Sequence, residues 1–453
     1  MVLYNRLSSV TRSKKTTHYP RPVDSIPIEI LVLIFEEYCR ACNSTDSLSH
    51  PELHITQVCK YWRSIVIHVP NLWTKLVITP HTPSRLVATY LQRSQQLPLD
   101  LEVDLRHDAA DTAKREHALT TWMAIKSTSP RWRRLVLQIG PHDATVISED
   151  LRELGTPLLE ELRISSGSHV SGITKIFEGG APSLKSLRLT GLSLERFTPS
   201  LHQLTRLHLA SNCPIHFSSF QRLMTKMVKL QDLSLRSRVV EGWPIYPSQD
   251  DTILLPSLTS LKLSDRRWPL FIPLLSLSAP MLHTLSLSDL VAHDLPETFM
   301  ESQLCENLPS LRNLVLRGKS SYIDDGSFAQ LARIFPAIEH FSLLDVDEVF
   351  VRQSSRAMHQ TAIWPKLHTI TMNPVVAEDI LCSLISARTT PATGTPLKTL
   401  VVPVPNRFKK IRWISQQLIV EECQHTPAFS FSHPVEAIPL NQCSTPSTTA
   451  PYP

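Results

Sequence analysis

The residues of this chain that are able to ligate a metal, attack a carbonyl or cradle a phosphate are present, but their spacing serves none of those tasks. Cys39 and Cys42 form a single CxxC pair. A structural zinc site needs four tetrahedral ligands, and no second pair follows. The 19 His are scattered, without a His-Glu-x-x-His. No motif places a base beside Cys59, so it reads as a packing thiol rather than a nucleophile. The P-loop, Gly-x-Gly-x-x-Gly and Gly-x-Ser-x-Gly are all missing. With only 11 Gly against 35 Pro, few backbone sites suit a phosphate and many suit a hard stop between short elements. The expectation is a binding protein and not an enzyme, with no catalytic residue, no cofactor and no metal.

One charged pattern does have a chemistry. Arg134, Arg163, Arg188, Arg206, Arg236 and Lys262 recur between residues 134 and 262. Arginine's planar fork meets carboxylate or phosphate with two hydrogen bonds. If these side chains share one face, that face suits an acidic or phosphorylated protein segment. The competing reading is a solvated face partly neutralised by Glu161 and Asp232. A net charge of +5 over 453 residues argues for neither nucleic acid nor membrane as a partner.

Each of these cations sits beside a repeated leucine. Leu-x-x-Leu-x-Leu recurs as PSLKSLRL at Pro182 to Leu189, PSLTSLKL at Pro256 to Leu263, PMLHTLSL at Pro280 to Leu287 and PSLRNLVL at Pro309 to Leu316. Weaker copies begin at Pro130, Pro157, Pro336 and Pro365, and copies without the proline at Leu204, Leu230 and Leu397. The central apolar residues are Leu135, Leu162, Leu187, Leu207, Leu233, Leu261, Leu285, Leu314, Phe341, Ile370 and Leu400, with gaps of 20 to 30 residues. Leu-x-Leu puts both leucines on one face of a strand, and one such strand cannot bury that face alone. Proline suits the first residue of each strand, where a missing N–H breaks no ladder bond. Between the strands, Phe217 to Met227, Phe328 to Phe335 and Ile380 to Ile385 carry helical spacing. Residues 130–402 resemble leucine-rich repeats. The resemblance implies an irregular solenoid, with parallel strands on a concave face and helices and loops on the convex face. The usual Asn after the last leucine occurs only at Asn212. Leu99 to Leu105 alternate as one more strand, and a helix around Leu119 to Ile125 bridges it to the first clear repeat. Phe408 to Cys423 reads as a terminal capping helix.

Upstream, residues 23–74 read as two amphipathic helices. Ile30, Leu31, Ile34, Phe35 and Tyr38 form one apolar stripe; Ile55, Val58, Cys59, Trp62, Ile65 and Val66 form the other, with a polar loop from Cys39 to Glu52 between them. The string resembles the F-box family at Ile26, Pro27, Glu29, Ile30, Leu31, Ile34 and Phe35, then at Val58, Cys59, Lys60, Trp62, Arg63, Pro70, Leu72 and Trp73. The longer loop is the departure from the family pattern. The resemblance implies docking on the acidic adaptor of an SCF-type ubiquitin ligase, and through it on cullin. It implies adaptor contacts from Pro27, Ile30, Leu31, Ile34, Val58, Cys59 and Trp62.

The whole is expected to be an α/β chain: a basic disordered tail over 1–22, the small helical F-box over 23–76, a linker helix and first repeat-like unit over 77–129, the repeats with their cap over 130–423, and a disordered Pro/Ser/Thr tail over 424–453. No apolar leader or run of 18 apolar residues is visible, so an intracellular protein is expected, with no membrane partner. Three functions follow: a ligase substrate receptor, an adaptor-binding scaffold outside a ligase, or a repeat-based binding module unrelated to ubiquitin.

Overall fold

The computed structural model describes residues 26–45, 50–107, 111–141, 143–167, 175–197, 199–210, 214–265, 270–291, 294–295, 301–318, 325–360, 363–373, 378–389, 396–402, 414 and 419–422. Its strands are β1 (Lys75–Ile78), β2 (Leu99–Asp104), β3 (Trp132–Ile139), β4 (Glu161–Ser166), β5 (Ser186–Thr190), β6 (Arg206–Ala210), β7 (Ile215–His216), β8 (Asp232–Arg236), β9 (Val240–Glu241), β10 (Ile253–Leu254), β11 (Ser260–Ser264), β12 (Leu277–Ser278), β13 (Thr284–Ser288), β14 (Asn313–Arg317), β15 (His340–Leu344), β16 (Thr369–Met372), β17 (Thr399–Val402) and β18 (Ile419–Glu422). The helices are α1 (Ile28–Thr45), α2 (Pro51–Val58), α3 (Lys60–Ile67), α4 (Ser84–Arg93), α5 (Thr112–Lys126), α6 (Ala144–Arg152), α7 (Phe217–Met224), α8 (Ile272–Ser276), α9 (Glu301–Asn307), α10 (Asp325–Ile334), α11 (Glu348–Gln360) and α12 (Glu378–Thr389).

Fourteen strands form one parallel sheet in the order β1-β2-β3-β4-β5-β6-β8-β11-β13-β14-β15-β16-β17-β18. Two small parallel pairs, β7 with β9 and β10 with β12, stand beside it. The protein is therefore a mixed α/β chain built on a large parallel sheet, with strands laid down in chain order. A parallel neighbour requires a crossover of a dozen residues or more, which the sequence spacing supplies.

The leucine period sets the register. Leu76, Leu101, Leu135, Leu162, Leu187, Leu207, Leu233, Leu261, Leu285, Leu314, Phe341, Ile370 and Leu400 pair across consecutive strands as a single line. None is more than 2% exposed. Helical residues such as Leu304, Phe328, Phe350 and Leu381 join the same apolar cluster, making a second layer against the leucine face. A slip of one residue in any strand would turn its leucines to solvent, at about 2 kcal/mol for each buried side chain.

The prolines sit elsewhere than expected. Pro182 precedes β5 by four residues and lies in a turn, as do Pro256, Pro280 and Pro309 before their strands. In each the first leucine of the repeat donates its N–H to the carbonyl three residues back: Leu184 to Ala181 at 3.2 Å, Leu282 to Ala279 at 3.0 Å. Proline thus occupies the second position of a β-turn, where its fixed φ is already right. At the other end, several strands leave through a left-handed residue: Gly191 (φ 74), Ser237 (φ 63), Asp289 (φ 60), Gly318 (φ 102) and Asp345 (φ 56). Asn212 lies outside the described residues.

The strand at Leu99 and the helix through Leu119 to Ile125 form as β2 and α5, and α7, α10 and α12 cover the three segments of helical spacing. The end of the chain differs. The expected helix over Phe408 to Cys423 is helical at Ile414, but Ile419–Glu422 is strand β18, paired parallel to β17. The β-branched Ile419 and Val420 suit a strand, and β17 offers them its edge N–H and C=O groups. The rest of that segment and both expected disordered tails lie outside the described residues.

At the first edge of the sheet, α1, α2 and α3 pack around Leu31, Phe35, Ile55, Ile65 and Val66. The second expected helix is two. Cys59 is extended (φ −158, ψ 167) between α2 and α3, and its Sγ accepts the Trp62 N–H at 3.3 Å, capping α3. Pro51 opens α2 inside what reads as loop in the sequence, and α1 runs on through Cys39. Trp73, fully buried, ties these helices to the sheet: its indole N–H donates to the Val66 carbonyl at 2.8 Å, Tyr90 meets its edge at 5.0 Å, and Arg93 lies 4.4 Å over its ring. β1 crosses residue 76, so helices and sheet share continuous core rather than meet at a linker.

Candidate functional site

Two surfaces collect the residues singled out by the sequence. The first is on α1–α3. Successive helical residues turn by about 100°, so Leu31, Phe35 and Cys39 point one way and Ile30, Ile34 and Tyr38 flank them. The structure separates the two sets. Leu31 is 1% exposed and belongs to the core, which removes it from the direct contact set. Pro27 is exposed, as are Ile30 at 46%, Ile34 at 48% and Val58 at 61%. Cys59 and Trp62 are half-buried; Cys59 caps α3, and Trp62 packs its ring 4.8 Å from Phe35. Ile28, Leu33 and Tyr61 are also exposed, and the sequence reasoning missed them because they lie off the expected stripes. Of the seventeen exposed large apolar residues among those described, seven lie between Ile28 and Tyr61, so the apolar surface is concentrated here. Cys39 is buried beside Glu52. Its burial, with the nearby carboxylate, pushes the thiol up to about 12, which keeps it protonated at neutral pH.

The second surface is the outward face of the sheet. Strand residues that alternate with the leucines form three rows. The middle row runs Val136, Arg163, Arg188, His208, Ser234, Lys262, Ser286 and Val315 across β3 to β14. One row holds Arg134, Glu161, Ser186, Arg206 and Asp232; the other holds Thr190, Ala210, Arg236, Ser264, Ser288 and Arg317. The six expected cations do share one face, but they divide into two groups. Arg134 and Arg163 both pair with Glu161, at 3.2 and 2.6 Å, and Arg206 faces Asp232 in register. Arg188, Arg236 and Lys262 stand half-buried around His208. Burial, then Arg188, Arg236, Lys262 and Arg163 in turn, push the His208 imidazole down to about 3, so it is neutral at physiological pH. Burial with Arg163 and Arg236 lowers Arg188, and burial with Arg317 lowers Lys262 against the opposing pull of Asp232. Arg317 and His208 are missing from the set expected from sequence. Arg317 follows the last leucine of its repeat as Arg236 does, which is the signal that would have found it.

Glu339, His340 and His368 bring one ligand atom each within 4.8 Å of one another. Two imidazoles and a carboxylate are donors that a divalent transition metal can accept. Arg312 holds Glu339 at 3.4 Å, and the His340 and His368 rings meet edge to face at 4.7 Å. No helix among the described residues is long and apolar enough to cross a membrane. No family model matches the chain, and the search of curated proteins found no match.

Proposed function

We propose that the protein is the substrate-recognition subunit of a cullin-RING (SCF-type) ubiquitin ligase. In this reading the helices over residues 23–76 are an F-box that docks on the acidic adaptor, and through it on cullin. The sheet is a leucine-rich-repeat array whose outward face holds a protein substrate. The chain does no bond chemistry of its own. It raises the effective concentration of a substrate lysine near an enzyme that another subunit supplies.

The observation that carries this reading is the pairing of motif with exposure. The residues that resemble the F-box pattern include Ile30, Ile34 and Val58, which lie on the surface of α1 and α2. A chain that buries more than ninety apolar side chains keeps a cluster of others in water at one place; such a patch marks a contact surface. The test is calorimetric titration of the full chain with purified adaptor. Tight one-to-one binding that Ile34→Asp with Val58→Asp abolishes supports the reading. Equal binding by that double variant would sink it. Adaptor binding without recruitment of cullin would favour a scaffold outside a ligase.

A further inference from the structure

We propose that Glu339, His340 and His368, where β15 and β16 begin, bind a divalent transition-metal ion of the zinc class and leave one coordination position open. The site is independent of the ligase reading.

The parallel ladder brings the three residues together. His340 stands opposite Thr369 in register, and Glu339 and His368 are the residues just before them. The Glu339 and His340 N–H groups both donate to the Arg312 carbonyl, at 2.8 and 3.1 Å. The His368 and Thr369 N–H groups both donate to the Glu339 carbonyl, at 3.0 and 3.2 Å. The His368 carbonyl in turn accepts from Lys398 and Thr399, at 2.8 and 3.1 Å. The next residue of each strand, Phe341 and Ile370, is fully buried. The three donors therefore rise from backbone that is locked on both sides, as a metal site requires.

The side chains are oriented for the same task. His368 Nδ1 lies 3.0 Å from the Thr369 hydroxyl oxygen, and its Nε2 lies 3.8 Å from Glu339 Oε2. With Thr369 accepting the Nδ1–H, the Nε2 lone pair faces the carboxylate, the arrangement that fixes a ligating imidazole. Glu339 Oε1 is held by Arg312 Nε at 3.4 Å. Arg312 is itself anchored, its Nη1 donating to the Leu311 and Pro309 carbonyls at 2.9 and 3.2 Å. It steers the carboxylate and leaves Oε2 toward His368. The His340 ring meets that of His368 edge to face, 4.7 Å between centroids. No hydrogen bond among the described residues occupies a His340 nitrogen.

One donor atom from each residue lies within 4.8 Å of the others. Around a tetrahedral ion with bonds of about 2.1 Å, donors stand roughly 3.4 Å apart. Rotation of the half-exposed side chains closes that difference without moving a strand. An Arg312–Glu339 ion pair alone gives no reason for two imidazoles to converge on the second carboxylate oxygen; a metal ion does, because it takes all three lone pairs. Imidazole suits zinc, copper, nickel and iron, whereas calcium and magnesium prefer oxygen throughout. Three protein donors fill three positions of a tetrahedral ion, and the fourth is left for an exchangeable ligand. Glu339 and His368 are 36% and 28% exposed, so that position is reachable from solvent.

The test is calorimetric titration of the chelator-treated full chain with Zn2+, and separately with Ca2+ and Mg2+. The wild-type chain should bind one Zn2+ more than His340→Ala with His368→Ala binds, and should show no such difference with Ca2+ or Mg2+. Zn2+ should raise the melting temperature of the wild-type chain and not through this site in the double variant. Thr369→Val keeps the shape of β16 and removes the acceptor of the Nδ1–H. It should weaken the site about tenfold or more. His54→Ala with His283→Ala, which removes two exposed imidazoles elsewhere, should bind as wild type does. Without metal the site variants should melt close to wild type, since the replaced side chains are half-exposed. Should the double variant melt early, Glu339→Gln decides in its place, and full Zn2+ affinity in that variant would overturn the proposal. So would equal binding by the site and control double variants, a wild-type chain that takes up no Zn2+, or Ca2+ bound as tightly as Zn2+.

Discussion

The helical edge of the molecule and the outward face of its sheet meet water with opposite chemistries. On α1 and α2 the exposed positions are Ile30, Leu33, Ile34 and Val58. On β5 to β14 they are Arg188, Lys262, Arg236 and Arg317 set among serines. An apolar patch gains by leaving water and is nearly indifferent to salt. A cationic stripe attracts from a distance and is screened within about 10 Å at ordinary ionic strength. A molecule built this way can keep one partner bound while it exchanges another. Under the proposed function, the difference separates a salt-insensitive contact at the edge from a salt-sensitive one on the sheet.

The largest effect expected concerns the edge. Ile34→Asp with Val58→Asp should cost about 2 kcal/mol or more per site in adaptor affinity, roughly a thousandfold together. Both side chains are near half or more exposed, so thermal melting should barely change. Trp62→Ala is a poorer probe, because Trp62 packs on Phe35 and its loss loosens the module itself. A second comparison sets an inward against an outward residue on neighbouring strands. Leu285→Ala should lower stability by about 3 kcal/mol in denaturant titration, since it empties a fully buried site. Val315→Ala, on the outward row one strand away, should cost less than about 1 kcal/mol. Equal costs would mean the leucine line is not the core.

A smaller loss is expected at Gly191. Its φ of 74 and the Ser166 carbonyl oxygen, 2.4 Å from where a Cβ would stand, both oppose a side chain. Gly191→Ala should cost on the order of 1–3 kcal/mol, read in the same titration. The smallest effect at neutral pH, growing with acid, belongs to His208. Its folded pKa of about 3 lies below the unfolded value of about 6.5, so the unfolded chain takes up the proton first. Stability is then intact above the unfolded pKa and falls as pH drops from about 6.5 toward 3, by on the order of 1 kcal/mol near pH 5.5. His208→Gln should flatten that slope. A slope unchanged by the substitution would mean that the imidazole is not held neutral.

Much of this was legible from spacing alone. The line from Leu135 to Leu400 is readable because a strand has period two and the repeat returns it in phase. The six cations could be placed on one face for the same reason. What spacing does not carry is what lies across the neighbouring strand. Arg134 and Arg163 meet Glu161, whereas Arg188 meets His208, and only the register tells these apart. Glu339, His340 and His368 gather in the same way, from residues nearly thirty positions apart. On the helices, Leu31 and Ile30 look alike in a stripe, yet packing against α2 and α3 buries one and leaves the other out. The break at Cys59 is hidden because helical spacing continues through Val58 and Trp62, while the thiol that caps α3 resembles any other packed residue. Ile419 to Glu422 became a strand because an open sheet edge was waiting for it.

Under the proposed function, the apolar edge recruits a ligase while the sheet face holds the substrate. The direct measurement is affinity purification of the tagged full chain from cells, with blotting for the adaptor and for cullin. The wild-type chain should bring down both, Ile34→Asp with Val58→Asp neither, and Arg188→Gln with Lys262→Gln both as strongly as wild type. Recovery of adaptor and cullin by the Ile34 and Val58 double variant, or of neither by the wild-type chain, would contradict the account.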